Sequence, residues 1–298
     1  MSGLGVVAAG AVAAGGYGLV ETGALPGKYR VARLLGACGS PPAPPSGPLP
    51  ARQQTQFWSA YRQRQVTMVT LIPAGAGSAP GLGVVVALHG RGGDAASTAG
   101  SVALGMAAAG TRGFAVVTVD GGTTYWHRRA DGDDPQGMII HEVLPRLAAL
   151  GMRTSRIGII GQSMGGYGAL LLAERLGGGQ ATGGPGTPAG ARTHAAAQPV
   201  AAAVAAISPA IFASLADARR ADRRAFDGLG DFAAHDVLSG ITALRQVPAY
   251  VACGSSDPFE PMAREFRERL QRLTGRPAAG AIAAGCHDYD FWARNLPP

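Results

Sequence analysis

The sequence predicts an α/β fold, a mostly parallel, doubly wound sheet with helices on both faces. Short uninterrupted apolar runs, "LGVVVALH" (82–89), "FAVVTVD" (114–120) and "RIGIIG" (156–161), end in turn residues, as strands buried on both faces do. Helix-patterned segments separate them, an alternation that marks βαβ units rather than a sandwich or a bundle. With 298 residues, 47% hydrophobic and 15% charged, the chain can bury one sizeable core.

The elements follow in order. Residues 1–20 carry no charged side chain, consist mostly of Gly, Ala and Val, and match the length of a membrane-spanning helix. Such small residues bring little transfer energy, and no basic region stands in front of them. Residues 1–38 are read as an export signal or weak membrane anchor, with a helix packed on the folded body as the alternative. "LLGAC", ending at Cys38, resembles a lipoprotein cleavage box only superficially, because Lys28, Arg30 and Arg33 interrupt the apolar stretch before it. The proline-rich stretch 39–50 reads as an extended linker, and the folded domain as 51–298.

Within that domain, 65–72 has strand composition with some alternation. Asp134 and Pro135 read as N-cap and first residue of a helix running to about Leu150. Further strands are read at 156–160, 200–207 and 249–253, and further helices at 166–176 and 264–273. The glycine-rich stretch 177–199 reads as a low-complexity surface insertion, and 209–246 as a cap-like region between two late strands.

Composition excludes several functions. The net charge of +7 rests almost wholly on arginine, Lys28 being the only lysine, and no basic run is interleaved with aromatics; nucleic acid is not an expected partner. No G-x-x-x-x-G-K-[ST] string is present, which disfavours nucleotide chemistry. Cys38, Cys253 and Cys286 are odd in number and lack metal-ligand spacing, so neither a disulfide framework nor a zinc site is expected. The aspartates of "ADGDDP" (130–135) read as turn and capping residues rather than calcium ligands. No metal and no cofactor is called for.

The chemistry gathers around "GQSMGGYGALLLAERL" (161–176). Gly161-Gln162-Ser163-Met164-Gly165 lies between a predicted strand and a predicted helix, the setting of a nucleophile elbow. A serine hydroxyl needs a base, and the base needs an orienting acid. In this kind of fold the chain order is Ser, acid, His. "VPAYVACGSSDPFE" puts Asp257 at the end of a late strand, with Glu260 as nearest substitute, and His287 is the one histidine downstream. His141, His194, His235 and His127 are poorly placed for the base; His127 could line a pocket. The oxyanion needs two backbone N–H donors. Met164, following the nucleophile, supplies one; "LHGRGG" (88–93) supplies the other, assigned to Arg91 with Gly90 as close alternative.

Together "LHGRGG", "GQSMGGYGALLLA", "GSSDPF" and "GCHDYDFW" span about Leu88 to Trp292. On these motifs the chain resembles the α/β-hydrolase branch that includes esterase D-type carboxylesterases and the secreted mycolyltransferase antigens of mycobacteria. The resemblance implies Ser163 as nucleophile, His287 as general base and acid, Asp257 as its orienting partner, and Arg91 and Met164 as oxyanion donors. It also implies an exported, cell-envelope, actinobacterial setting. Gln162 and Cys286 depart from the usual pattern beside catalytic positions, which bears on substrate fit; Cys286 is read as inert packing.

Tyr125, Trp126, His127, Phe291 and Trp292 are candidate substrate contacts, lying near predicted strand ends or beside the base. "DARRADRRAFDG" (217–228) reads as a solvated helix face, with contact to anionic headgroups or carrier phosphates as the alternative. The expectation is an exported serine carboxylesterase that acts through an acyl-enzyme on a lipid or small acyl ester. The alternatives are a mycolyltransferase-like acyltransferase sharing that intermediate, and a catalytically silent envelope binding protein.

Overall fold

A computed structural model describes residues 34, 36–40, 47–177 and 198–296. Most of the expected export segment, half of the linker and most of the low-complexity insertion lie outside the described residues. No described helix is long and apolar enough to cross a membrane.

Eight strands form one sheet: β1 (Ala51–Ser59), β2 (Arg64–Ile72), β3 (Gly83–Leu88), β4 (Phe114–Val119), β5 (Arg153–Gln162), β6 (Val200–Ile207), β7 (Ala249–Gly254) and β8 (Ile282–Ala283). Their order is β1-β2-β4-β3-β5-β6-β7-β8. β2 pairs antiparallel with both β1 and β4, and every other pairing is parallel. This is the α/β-hydrolase fold. The parallel strands are apolar throughout because helices cover both their faces.

Between β3 and β4 runs α1 (Ala95–Ala109), closed by a reciprocal capping box between Asp94 and Ser97 and ended by Gly110 at φ 59°. The helix predicted from Asp134 is present in three pieces. α2 (Pro135–Met138) opens on the Asp134 side chain, which accepts from the Gly137 N–H. A π turn (Ile139–Val143) then leads into α3 (Leu144–Ala149). α4 (Met164–Gly177) follows β5 directly. Between β6 and β7 lie α5 (Leu215–Ala221), α6 (Leu229–Ala234), α7 (Val237–Gly240) and a 3₁₀ turn (Ile241–Leu244). α8 (Glu260–Thr274) and α9 (Tyr289–Arg294) complete the described helices.

The main core fills one sheet face, where α2, α3, α4 and α8 pack with residues such as Met138, Leu147, Leu170 and Phe266. On the other face Val102 and Met106 of α1 cover Val69, Leu71, Ala87 and Val116, and Phe291 of α9 covers Ile207 and Ala252. An apolar hollow of about 340 Å³, edged by Leu296, remains between α1 and the β6–β7 part of this second face.

Two expectations are corrected here. Cys38 and Cys286 form a disulfide across a sequence separation of 248 residues. Counting and local spacing gave no sign of it, because only the fold brings the two cysteines together. Cys286 is therefore a covalent anchor rather than inert packing. The segment around Cys38 is fastened again by Arg294, which donates to the carbonyls of Cys38 and Ser40. The aspartates of 130–135 do more than cap and turn, since Asp133 forms a buried ion pair with Arg62, with N–O distances of 2.6 and 2.9 Å.

Candidate active site

The turn between β5 and α4 holds Ser163 at φ 56°, a left-handed conformation that L-residues other than Gly, Asn and Asp seldom adopt. Backbone bonds fix it from three sides: its N–H donates to the Ile207 carbonyl, and its carbonyl accepts from Tyr167 and Ala210 N–H. The two flanking glycines have a steric reason. A Cβ at Gly161 would overlap the Gly165 carbonyl, and one at Gly165 would overlap the Leu88 carbonyl. The result is a serine hydroxyl raised at the carboxyl edge of the central parallel strands.

His287 meets it there. The Ser163 Oγ lies 2.9 Å from His287 Nε2, and His287 Nδ1 lies 2.8 Å from Asp257 Oδ2. The carboxylate accepts, so Nδ1 carries the proton and the Nε2 lone pair faces the serine hydroxyl. Asp257 is buried at the end of β7, and its other oxygen accepts from the Phe259 N–H. The imidazole is held between two aromatic edges, Phe259 and Trp292, each with its ring centroid at 5.2 Å. Cys286 precedes His287, so the disulfide anchors this loop from behind.

The loop after β3 closes the other side. A Cβ built on Gly90 would lie 3.4 Å from the Ser163 Cβ, which sets the Gly90 backbone against the serine. Arg91 follows and turns outward, where its guanidinium is 55% exposed and pairs with Asp222 at 3.7 Å. Met164 is the first residue of α4, at the positive end of that helix. His89 was not singled out from the sequence except as part of its motif, yet it organises this loop. Its Nδ1–H donates to the Gly90 carbonyl and its Nε2 accepts from the Gly121 N–H, each at 2.8 Å. Burial lowers its pKa, which favours the neutral tautomer that this pairing requires.

The expected substrate contacts are largely corrected. Trp126, His127 and Phe291 are interior residues, at most 1% exposed. The chain after β4 folds inward, with Tyr125 and Trp126 both at left-handed φ, and Gly121 and Gly168 leave the space that the indole fills. Trp126 Nε1 donates to the His89 carbonyl, so this tryptophan braces the loop instead of meeting a ligand. His127 lies with Nε2 3.1 Å from the Ala225 carbonyl and Nδ1 3.1 Å from the Arg128 carbonyl, while its ring stacks on His235 at 4.3 Å. Tyr125 is also buried, packed against Tyr167, Phe212 and Phe226, and burial pushes its pKa up to about 12. Trp292 alone of the five is half-buried and touches the His287 ring.

His127, Asp231 and His235 bring three metal-ligand types within 4.8 Å. Their atoms are already engaged. His235, at the end of α6, has its Nδ1 2.9 Å from both the carbonyl and the carboxylate of Asp231, and the stacking of His127 on His235 ties the loop after β4 to that helix.

Residues 59–178 match the model of the Esterase family, described as "Putative esterase". That stretch resembles the esterase family, and the chain as a whole has the α/β-hydrolase fold. Solved structures agree on the fold. A ferulic acid esterase superposes with a TM-score of 0.62 at 20% identity, over 83% of this chain and 95% of that one. The Staphylococcus aureus fluorophosphonate-binding serine hydrolase F gives 0.62 at 16% identity, over 83% and 95%. An S-formylglutathione hydrolase from Agrobacterium tumefaciens gives 0.59 at 15% identity, over 87% and 99%. At these identities the matches show the shared fold, and they do not single out the mycolyltransferase branch. No curated protein sequence matches the chain.

Proposed function

We propose that this protein is a serine carboxylesterase with Ser163 as nucleophile, His287 as general base and acid, and Asp257 as the orienting carboxylate. The observation that supports this most strongly is the unbroken line from Ser163 Oγ through the His287 ring to Asp257, with links of 2.9 and 2.8 Å. His287 Nε2 takes the hydroxyl proton as Oγ attacks the ester carbonyl. The ionised Asp257 stabilises the imidazolium that results. His287 then returns the proton to the leaving alcohol, giving an acyl-serine, and the cycle repeats with water to release the acid.

The oxyanion is assigned to the Met164 N–H at the start of α4 and to a second N–H from the loop after β3. Both Gly90 and Arg91 remain in place for it, and the packing of Gly90 on Ser163 favours that end of the loop. Each such donor lowers the barrier by about 3 kcal/mol when well placed.

An oxidising compartment is part of the same reading, supported by the Cys38–Cys286 disulfide together with the apolar composition of residues 1–20. The test is hydrolysis of p-nitrophenyl acyl esters of increasing chain length by the full chain and by Ser163→Ala. The full chain is needed because a domain beginning at Ala51 would lack Cys38. Turnover falling roughly 10⁴-fold or more in the variant is the expected result. Equal turnover in both proteins would remove Ser163 from the reaction.

A further inference from the structure

The arginines of "DARRADRRAFD" (217–227) are solvent-exposed, as expected, but they are gathered on one side. Arg219, Arg220, Arg223 and Arg224 all line one cleft of about 1060 Å³, with Arg62, Arg64 and Arg129 also in its walls. Seven arginines therefore face three aspartates, Asp131, Asp133 and Asp227. Two of those carboxylates are already committed: Asp133 to buried Arg62, and Asp227 to Arg129, whose hydrogen bonds hold it below the usual carboxylate range. Among the described residues, Arg219, Arg223 and Arg224 have no carboxylate partner.

The arginine segment is built in place. Arg129 donates to the carbonyls of Arg224 and Ala225, so the backbone of this wall is fastened to another residue that lines the cleft. Concentrating uncompensated guanidinium groups costs electrostatic free energy that an anion relieves. Planar guanidinium forks also match the oxygens of a phosphate. The arginine segment is also linked to the nucleophile's surroundings: Asp222, between Arg220 and Arg223, pairs with Arg91 at 3.7 Å, and Arg91 follows the Gly90 that packs on Ser163.

We propose that this cleft is an anion site that holds a phosphate-type group on the ester substrate. The substrate assignment rests on the esterase reading of Ser163, whereas the anion site itself does not. The experiment compares the full chain with R219Q/R223Q/R224Q, using acyl esters of glycerol and of glycerol 3-phosphate with the same acyl chain at low salt. Inorganic phosphate binding is measured in parallel by calorimetry. Thermal melts of the triple variant and of R223Q alone check folding.

The expected result is a preference for the phosphorylated ester of about tenfold or more in kcat/KM, equivalent to roughly 1.4 kcal/mol, that collapses in the triple variant and weakens with added salt. Phosphate binding without any ester preference would support the anion site and assign it to free phosphate. Phosphate binding that depends on the arginines, with neither ester hydrolysed, would support the site while failing the esterase reading. No phosphate binding, together with the same ester ratio in wild type and variant, would overturn the proposal.

Discussion

Cys38 is bonded to Cys286, one residue before His287, so the chain ahead of the first strand is covalently tied to the loop that carries the proposed general base. A link across 248 residues closes a long loop, and native disulfides commonly contribute about 2–4 kcal/mol. Cys38→Ser should lower the unfolding free energy by that order, seen as a lower denaturant midpoint. It should also reduce kcat more than it changes KM, because the His287 loop loses its anchor. Equilibrium unfolding of wild type and variant, with and without reductant, checks this. Identical midpoints in all four samples would contradict it.

His89 should act through position and not through proton transfer. Its ring bridges the Gly90 carbonyl and the Gly121 N–H, and burial favours its neutral form. His89→Ala should cut kcat up to about 10²-fold, the scale of a misplaced oxyanion donor, with little change in KM. The shape of the pH–rate profile should be kept, because the titrating base stays in place. A shifted profile would instead assign His89 a proton-transfer role.

The elbow offers a contrast between two glycines. Gly165→Ala places a methyl group on the Leu88 carbonyl and should cost about 1–3 kcal/mol along with most activity. Gly100, in α1, has open space around its missing side chain. Gly100→Ala should stabilise by about 0.5–1 kcal/mol and leave kcat unchanged. Thermal melts and ester assays of the two variants, run together, test both halves.

Glu174 of α4 gives a pH signature. Burial, followed by the charge of Asp236, raises its pKa to about 9 from an ordinary 4.5, and one of its oxygens has no hydrogen-bond partner among the described residues. A folded-state pKa above the unfolded one means the folded protein binds more protons between those values. The associated stability is therefore full below pH 4.5 and is lost as pH rises through about 9. Glu174→Gln should remove this dependence, so its advantage over wild type should grow with pH up to about 9 and then level. Unfolding midpoints that run parallel across that range would refute the assignment.

How much of this was legible in the sequence depended on whether the cause was local. The central strands announced themselves by apolar runs, Asp134 by its cap position before Pro135, and Ser163 by glycines that have steric work to do within five residues. Asp257 and His287 could be named because chain order left few alternatives, and the structure brings both to Ser163. β1 could not be read: its residues are mostly exposed, so it has no apolar period, and only its pairing with β2 makes it a strand. The Arg62–Asp133 pair and the disulfide join residues far apart in the chain. Trp126, His127 and Phe291 failed as surface contacts for the same reason. Their burial is set by glycines and strands elsewhere, while an aromatic near a strand end looks the same from either side.

The central claim is that Ser163 is the activated nucleophile, and covalent labelling tests it most directly. The full chain would be treated with an alkyl fluorophosphonate, digested and mapped by mass spectrometry beside His287→Ala and Asp257→Asn. The account predicts a single phosphonyl adduct on Ser163 in the wild type, forming far more slowly in both variants. An adduct on another residue, or labelling of Ser163 at the same rate in all three proteins, would contradict it.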